Sequence, residues 1–571
     1  MKKITQEQLL NTVKEVYVFW KQNPHLIVFL LYALFLLITE MFLSYIFKIN
    51  RSFFNAFFQA APLILAVCGI GFLITGKAGK IFLSVTAVIS TFFTLSACFL
   101  ASVFKLRLNG DMYAVLAASS VEESREFIQV FINWKVFVLL LIACGVLTGL
   151  LYFLWKNPFK RCRILTLTGI VLLLPYMINT VRFCAEKDLA ELYERNTESR
   201  MIAGFFVFQN NLKGVLDMIH HPKLPKKIRS TYQGKITGIL VIGESATRNH
   251  MGIYGYGRPT TPRMELLKKD LLIFDDVVSP YCVTVDACRA MLTTAEPPEL
   301  TPLDYTVFNV FREAGFKIKS ISNQFRWGKR DGPVNLLFSA AHERTFIQEE
   351  QRRAFDEAVL PLLRKYLTDT EQSQLLVVHL MGSHSKFSDR YPKDFNFFNG
   401  RKDACNALFS SRTAEKINSY DNSIAYTDHV LGEIISLVEK SPLPGFVLYV
   451  SDHGEVPGFR GGRSAASKAP GYFEVPFVFF GNTLYRRSSP EFMAQASANI
   501  HTPWQTDSLL YSLLSAAGVT FENFPYEKDI FSAACKGRSH RKIGTSHATY
   551  IKKQVKPPFT MDQKGEIQPL K

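Results

Sequence analysis

Residues 236–245 read ITGILVIGES, and residues 446–455 read FVLYVSDHGE. Each is a short, almost unbroken apolar run that stops abruptly in acids, hydroxyls or a histidine. Runs this short and apolar on both sides fit central strands of a sheet covered on both faces. Three further runs, 316–322, 375–379 and 475–480, have the same character, and helical patterns at 351–367 and 414–440 alternate with them. The pattern predicts a soluble α/β domain: a mostly parallel sheet sandwiched by helices.

In such a fold, ligands sit beyond the carboxyl ends of the strands. The residues found there are chemically pointed. Glu244 and Ser245 follow the first run, Gly382-Ser383-His384 follow the run at 375–379, and Asp452-His453 follow the run at 446–450. Oxygen and imidazole donors without cysteine suit a catalytic Zn²⁺ that keeps one position open. Thr284 lies just ahead of, or at the start of, a helical stretch. It reads as a helix cap, or as a nucleophile held where backbone N–H groups and a metal can meet a phosphate.

Outward from this domain the composition changes. The chain has 571 residues, 48% hydrophobic and 20% charged, with a net charge of +17. That apolar content excludes a disordered chain, and 9 cysteines exclude a small disulfide scaffold. Apolar residues crowd the first 185 positions. Five spans are expected at about 26–47, 57–76, 81–104, 136–155 and 164–183, each near the ~20 residues that cross a bilayer. Lysines and arginines flank the amino end, the loop at Lys77 and Lys80, and the loop at 156–163. These loops are therefore expected on the cytoplasmic side, which leaves everything after ~184 outside. The expected organisation is a five-span transmembrane domain (1–183), bridging helices and linker (184–234), a periplasmic catalytic domain (235–535) and a basic tail (536–571). The tail suits solvent or anionic lipid, and its compartment excludes nucleic acid.

The segments GESATRNHMGIYGYGRPTTP (243–262), HLMGSHSKFSDRYP (379–392), YDNSIAYTD (420–428) and YVSDHGE (449–455), with that around Thr284, resemble the phosphoethanolamine transferases. These are inner-membrane enzymes of Gram-negative bacteria in the alkaline phosphatase/sulfatase superfamily, and the likeness is strongest to those acting on lipopolysaccharide core sugars. The resemblance implies zinc held by Glu244, Thr284, Asp452 and His453. Thr284 would take phosphoethanolamine from phosphatidylethanolamine and pass it to a lipopolysaccharide or related glycan acceptor. The enzyme is expected to be a monomer. His384 corresponds to a phosphate-contacting histidine. Relatives usually carry another histidine ten to twenty residues past the Asp-His pair. This chain has none there, and Arg460 and Arg463 offer charge in its place, as substrate contacts or as a solvated loop. In the third loop Ala114 and Ala118 stand where some relatives have Asn and Thr, while Glu122 remains as a lipid-headgroup contact. Transfer of phosphoglycerol or another headgroup, and an inactive scaffold of the same fold, are the alternatives. Cys282 and Cys288 flank Thr284 and leave two readings open: a disulfide that braces it, or free or differently paired thiols. A formylglycine at Cys282 is excluded, because position 284 is Thr where that modification needs Pro.

Overall fold

The computed structural model describes residues 76–103, 134–156, 197–297, 300–324, 333–348, 354–399, 411–457, 469–544, 548–550, 559–561 and 567–569, with a few single positions between them. The chain divides into two units. One comprises Met1–Tyr113 and Phe127–Gln209, the other Ala114–Glu126 and Asn210–Lys571.

In the first unit, α1 (Gly76–Val103) and α2 (Trp134–Lys156) are long and nearly free of charge, and they overlap the expected third and fourth spans. A 25-residue stretch of α1, Gly76–Leu100, is long and apolar enough to cross a membrane, and α2 contributes the shorter apolar stretch Leu140–Lys156. The start of α1 lies beside the end of α2. Lys80 Nζ donates to the Trp155 carbonyl at 3.0 Å, and Trp155 Nε1 donates to Ser84 Oγ at 3.1 Å. Ile81, Val85 and Phe92 on α1, and Leu141, Ile142 and Val146 on α2, are exposed, as lipid-facing apolar positions would be. The expected first, second and fifth spans lie outside the described residues.

The second unit is built on a seven-stranded sheet. Helix α3 (Thr197–His220), within the expected bridge, places Val215 and Met218 in its core. The strands are β1 (Thr237–Gly243), β2 (Leu271–Ile273), β3 (Lys317–Ser322), β4 (Glu343–Phe346), β5 (Gln374–His379), β6 (Gly445–Ser451) and β7 (Phe477–Gly481). Their order across the sheet is β2-β7-β6-β1-β5-β3-β4. The sheet is mixed: β7 runs antiparallel to both β6 and β2, while the pairs among β6, β1, β5, β3 and β4 are all parallel. All five apolar runs read from the sequence are strands.

β1 is buried throughout, with Leu240 and Ile242 packing into one core and Ile239 and Val241 into the other. This double burial explains why its sequence shows no alternation. Helix α4 (Thr284–Leu292) packs Cys288, Met291 and Leu292 into the first core, and α5 (Ser411–Glu439) packs Tyr420, Ile424 and Leu431 into the second.

The fold continues past residue 535. Arg538 forms two hydrogen bonds to Asp507, at 3.0 and 2.7 Å, and the hairpin Arg541–Ile543/Ala548–Tyr550 follows. Arg541 is 2% exposed and pairs with Asp276 at 2.8 Å, and Tyr550 donates to Glu474 at 2.5 Å. This part of the basic segment is built into the domain.

Candidate active site

Strand register assembles the site. Gly243 pairs with Ser451 across β1 and β6, so the next residues, Glu244 and Asp452, leave the sheet side by side. Asp452 N donates to Gly243 O at 3.0 Å, and Ser245 N donates to Asp452 Oδ1 at 3.0 Å. On the other flank, β5 runs on from His379 and returns to β1 through Ser383 N, which donates to Glu244 O at 2.9 Å. His384 is thereby carried to the same edge, and its carbonyl accepts from Arg390 Nε at 3.2 Å.

Four of the residues singled out in the sequence meet here. Glu244, Asp452 and His453 are buried, with one donor atom from each within 4.8 Å of the others. Thr284, the first residue of α4, directs Oγ1 to Glu244 Oε2 at 3.1 Å and lies 3.5 Å from His453 Nε2. His453 Nε2 is in turn 3.5 Å from Glu244 Oε1 and 3.5 Å from Asp452 Oδ2. Glu122, Arg460 and Arg463 lie outside the described residues. Of the two readings for Cys282 and Cys288, the disulfide between them is not formed: Cys288 points into the apolar core, where burial raises its thiol pKa well above the ordinary value.

The donor set fits a cation. His453 Nδ1 lies 2.8 Å from the Gly454 carbonyl, a contact that needs the proton on Nδ1 and leaves Nε2 as a lone pair. That lone pair faces two carboxylates, and Asp452 Oδ2 is buried without a hydrogen-bond partner among the described residues. Acceptors converging on acceptors in a dry site are costly without a positive charge between them. Protonation responds accordingly. Burial first, and then the Asp452 charge, push the Glu244 carboxyl up to about 8, while burial raises that of Asp452.

Several residues support this set in roles that the sequence did not assign to them. Ser245 Oγ donates to Glu244 Oε1 at 2.7 Å, and Ser451 Oγ donates to the His453 carbonyl at 2.9 Å. Buried Asp356 accepts from Met381 N and Gly382 N, both at 2.8 Å, and from Asn323 Nδ2 at 2.7 Å. The partners of Asp356 lie 25 to 33 residues away, so no local signal marked it, whereas the two serines brace ligand residues beside them in the chain.

Residues 237–519 match the Sulfatase family model. Phosphoethanolamine transferase EptC of Escherichia coli is 24% identical over 502 residues, covering 82% of this chain and 85% of that protein. The crystal structure of the C-terminal periplasmic domain of E. coli EptC in complex with Zn is similar with a TM-score of 0.52 at 26% identity, covering 57% of this chain and 93% of that one. The integral membrane protein lipooligosaccharide phosphoethanolamine transferase A from Neisseria meningitidis shares the fold, with a TM-score of 0.61 at 18% identity over 89% of this chain and 99% of that one.

Proposed function

We propose, from the match of residues 237–519 to the Sulfatase family model, that this chain transfers phosphoethanolamine onto a lipopolysaccharide acceptor. The observation that carries the reading is the Thr284 hydroxyl, 3.1 Å from Glu244 and 3.5 Å from His453 at the head of a helix. Among the surrounding acceptors it is the group able to act as a nucleophile.

Glu244, Asp452, His453 and Thr284 would hold zinc. When bound, zinc supplies the positive charge that offsets two buried carboxylates and lowers the pKa of the threonine hydroxyl. In the first half-reaction Thr284 Oγ1 attacks the phosphorus of phosphatidylethanolamine. A P–O bond forms to the threonine, the P–O bond to the glyceride breaks, and the departing oxygen takes up a proton as diacylglycerol. The hydroxyl proton of Thr284 already points to Glu244 Oε2, the acceptor nearest to hand. In the second half-reaction an acceptor hydroxyl attacks the same phosphorus, and Thr284 regains its proton. The first turn of α4 adds the positive end of a helix dipole beside the phosphoryl group. His384 is assigned to the phosphoryl oxygens, Arg460 and Arg463 to substrate charge, and Glu122 to the donor headgroup.

The setting follows from the same reading. The chain is an inner-membrane enzyme of a Gram-negative bacterium, anchored by five spans at 1–183, with the amino end cytoplasmic. The bridge at 184–234 leads to a periplasmic catalytic domain that begins near residue 235, and the protein acts as a monomer.

Intact mass of the purified chain after incubation with phosphatidylethanolamine tests this. One added phosphoethanolamine, mapped to Thr284 and absent from Thr284→Ala, is expected. An adduct of unchanged yield in Thr284→Ala would overturn the assignment. A phosphoglycerol mass after incubation with phosphatidylglycerol, with none from phosphatidylethanolamine, would replace the donor.

A further inference from the structure

We infer that Tyr420 is a positioning residue for the turn that carries Glu244: its buried hydroxyl holds Ser245 in the left-handed conformation that aims Glu244 at Asp452, His453 and Thr284. The inference rests on the reading of Glu244 as a metal ligand.

Ser245 has φ 57, one of five non-glycine residues with positive φ among the described residues. Side chains disfavour that region, so a serine persists there only where its surroundings hold it. Here every polar group of the residue is engaged. Its N–H donates to Asp452 Oδ1 at 3.0 Å, its Oγ donates to Glu244 Oε1 at 2.7 Å, and its carbonyl accepts from Tyr420 Oη at 2.7 Å. Two residues on, Thr247 N donates to the same Tyr420 Oη at 2.9 Å. The hydroxyl thus acts as donor and acceptor at once, and both of these bonds fall on the turn 245–247.

The ring cannot follow the turn if the turn relaxes. Tyr420 is fully buried on α5, edge-on to His250 at 5.1 Å and to Phe387 at 5.0 Å. His250 is itself fixed by Asp421 at 2.7 Å, and Asp421 also accepts from Tyr256 at 2.9 Å and from Arg258 at 2.6 Å. The hydroxyl is therefore a fixed point set by the packing of α5. Backbone bonds to a fixed point are how a ligand carboxylate is kept in one geometry before the metal arrives.

The test is zinc affinity, measured on the detergent-solubilised full chain by competition with a chromogenic chelator, alongside the melting temperature with and without zinc. Tyr420→Phe keeps the ring and removes both hydrogen bonds. Its zinc affinity should fall by about 10- to 100-fold, and the rise in melting temperature on adding zinc should shrink. Tyr485→Phe is the control. It also removes a buried hydroxyl of this domain, one that donates to the Ala516 carbonyl at 2.8 Å. It should lower the metal-free melting temperature while leaving zinc affinity at the parent value. On a Ser245→Gly background, where glycine adopts positive φ freely, the Tyr420→Phe change should cost only a few-fold. Zinc binding by Tyr420→Phe as tight as the parent's, or the same loss in both backgrounds, would overturn the inference. A parent chain that takes up no zinc would overturn the metal reading itself, and this inference with it.

Discussion

His379 shows how one side chain can be read wrongly when only its neighbours in sequence are known. It closes β5, five residues before His384, and looks like part of the same polar strand end. Alternation along the strand turns it the other way. It falls on the face of Leu375 and Val377, 2% exposed and 6.0 Å from the Phe338 ring, with neither ring nitrogen hydrogen-bonded among the described residues. Burial holds its pKa down to about 4 from an ordinary 6.5. The sign of the pH effect follows. Between those values the unfolded chain binds a proton that the folded chain refuses, so stability rises with pH across that window. The contribution is complete above ~6.5 and is lost as the pH falls toward 4, amounting to about 2 kcal/mol between pH 7 and pH 5. His379→Leu should therefore lose less stability than the parent between those two pH values, by about that amount, in urea titrations of the full chain. Equal losses would mean that the imidazole is not neutral and buried.

At the scale of elements, the loop after β5 is where geometry replaces pattern. Gly382 has φ 51, and a Cβ there would stand 2.8 Å from the Glu244 carbonyl and 2.9 Å from its nitrogen. The loop can lie against the end of β1 only because this position carries no side chain. Asp356 grips it from behind through Met381 N and Gly382 N. Gly382→Ala should push the loop off Glu244, costing on the order of 2 kcal/mol in stability. It should cut the rate of phosphoryl transfer far more than donor binding, which steady-state kinetics on the full chain would separate. An alanine variant with the parent's rate would show that the loop does not need this approach. The strands themselves were legible because burial on both faces leaves one signature, an uninterrupted apolar run, and 236–242 and 446–450 differ from the observed strands by a residue at either end. The edge strands Leu271–Ile273 and Glu343–Phe346 were not, since the first is too short to stand out as a run and the second is largely polar, with Glu343 and Arg344 exposed. Glu244, Thr284, Asp452 and His453 could be picked out because strand ends and a helix start are local features. The bond from Tyr420 to Ser245 spans 175 residues, and nothing local announces it.

At the scale of the whole chain, the number of bilayer crossings decides on which side of the membrane Thr284 stands. Lys77 and Lys80 open α1, Lys156 closes α2, and the hydrogen bond from Lys80 to the Trp155 carbonyl brings these ends together. Two antiparallel helices with their basic ends paired place those lysines on one face, the cytoplasmic one in the proposed orientation. Were these two helices the last to cross, the chain after Lys156 would remain on the lysine face. The domain that carries Thr284 would then sit on that face too, away from the acceptor proposed for it. Were the apolar run 164–183 to cross as well, there would be three passages between Lys77 and His221, an odd number, and the domain would be sent to the opposite side. Cysteines placed singly at these exposed positions distinguish the two arrangements. A membrane-impermeant maleimide applied from the periplasmic side should label His221→Cys in intact cells, and Lys77→Cys only after permeabilisation. Labelling of both from the same side would mean an even number of passages, and would remove the fifth span together with the periplasmic placement of Thr284.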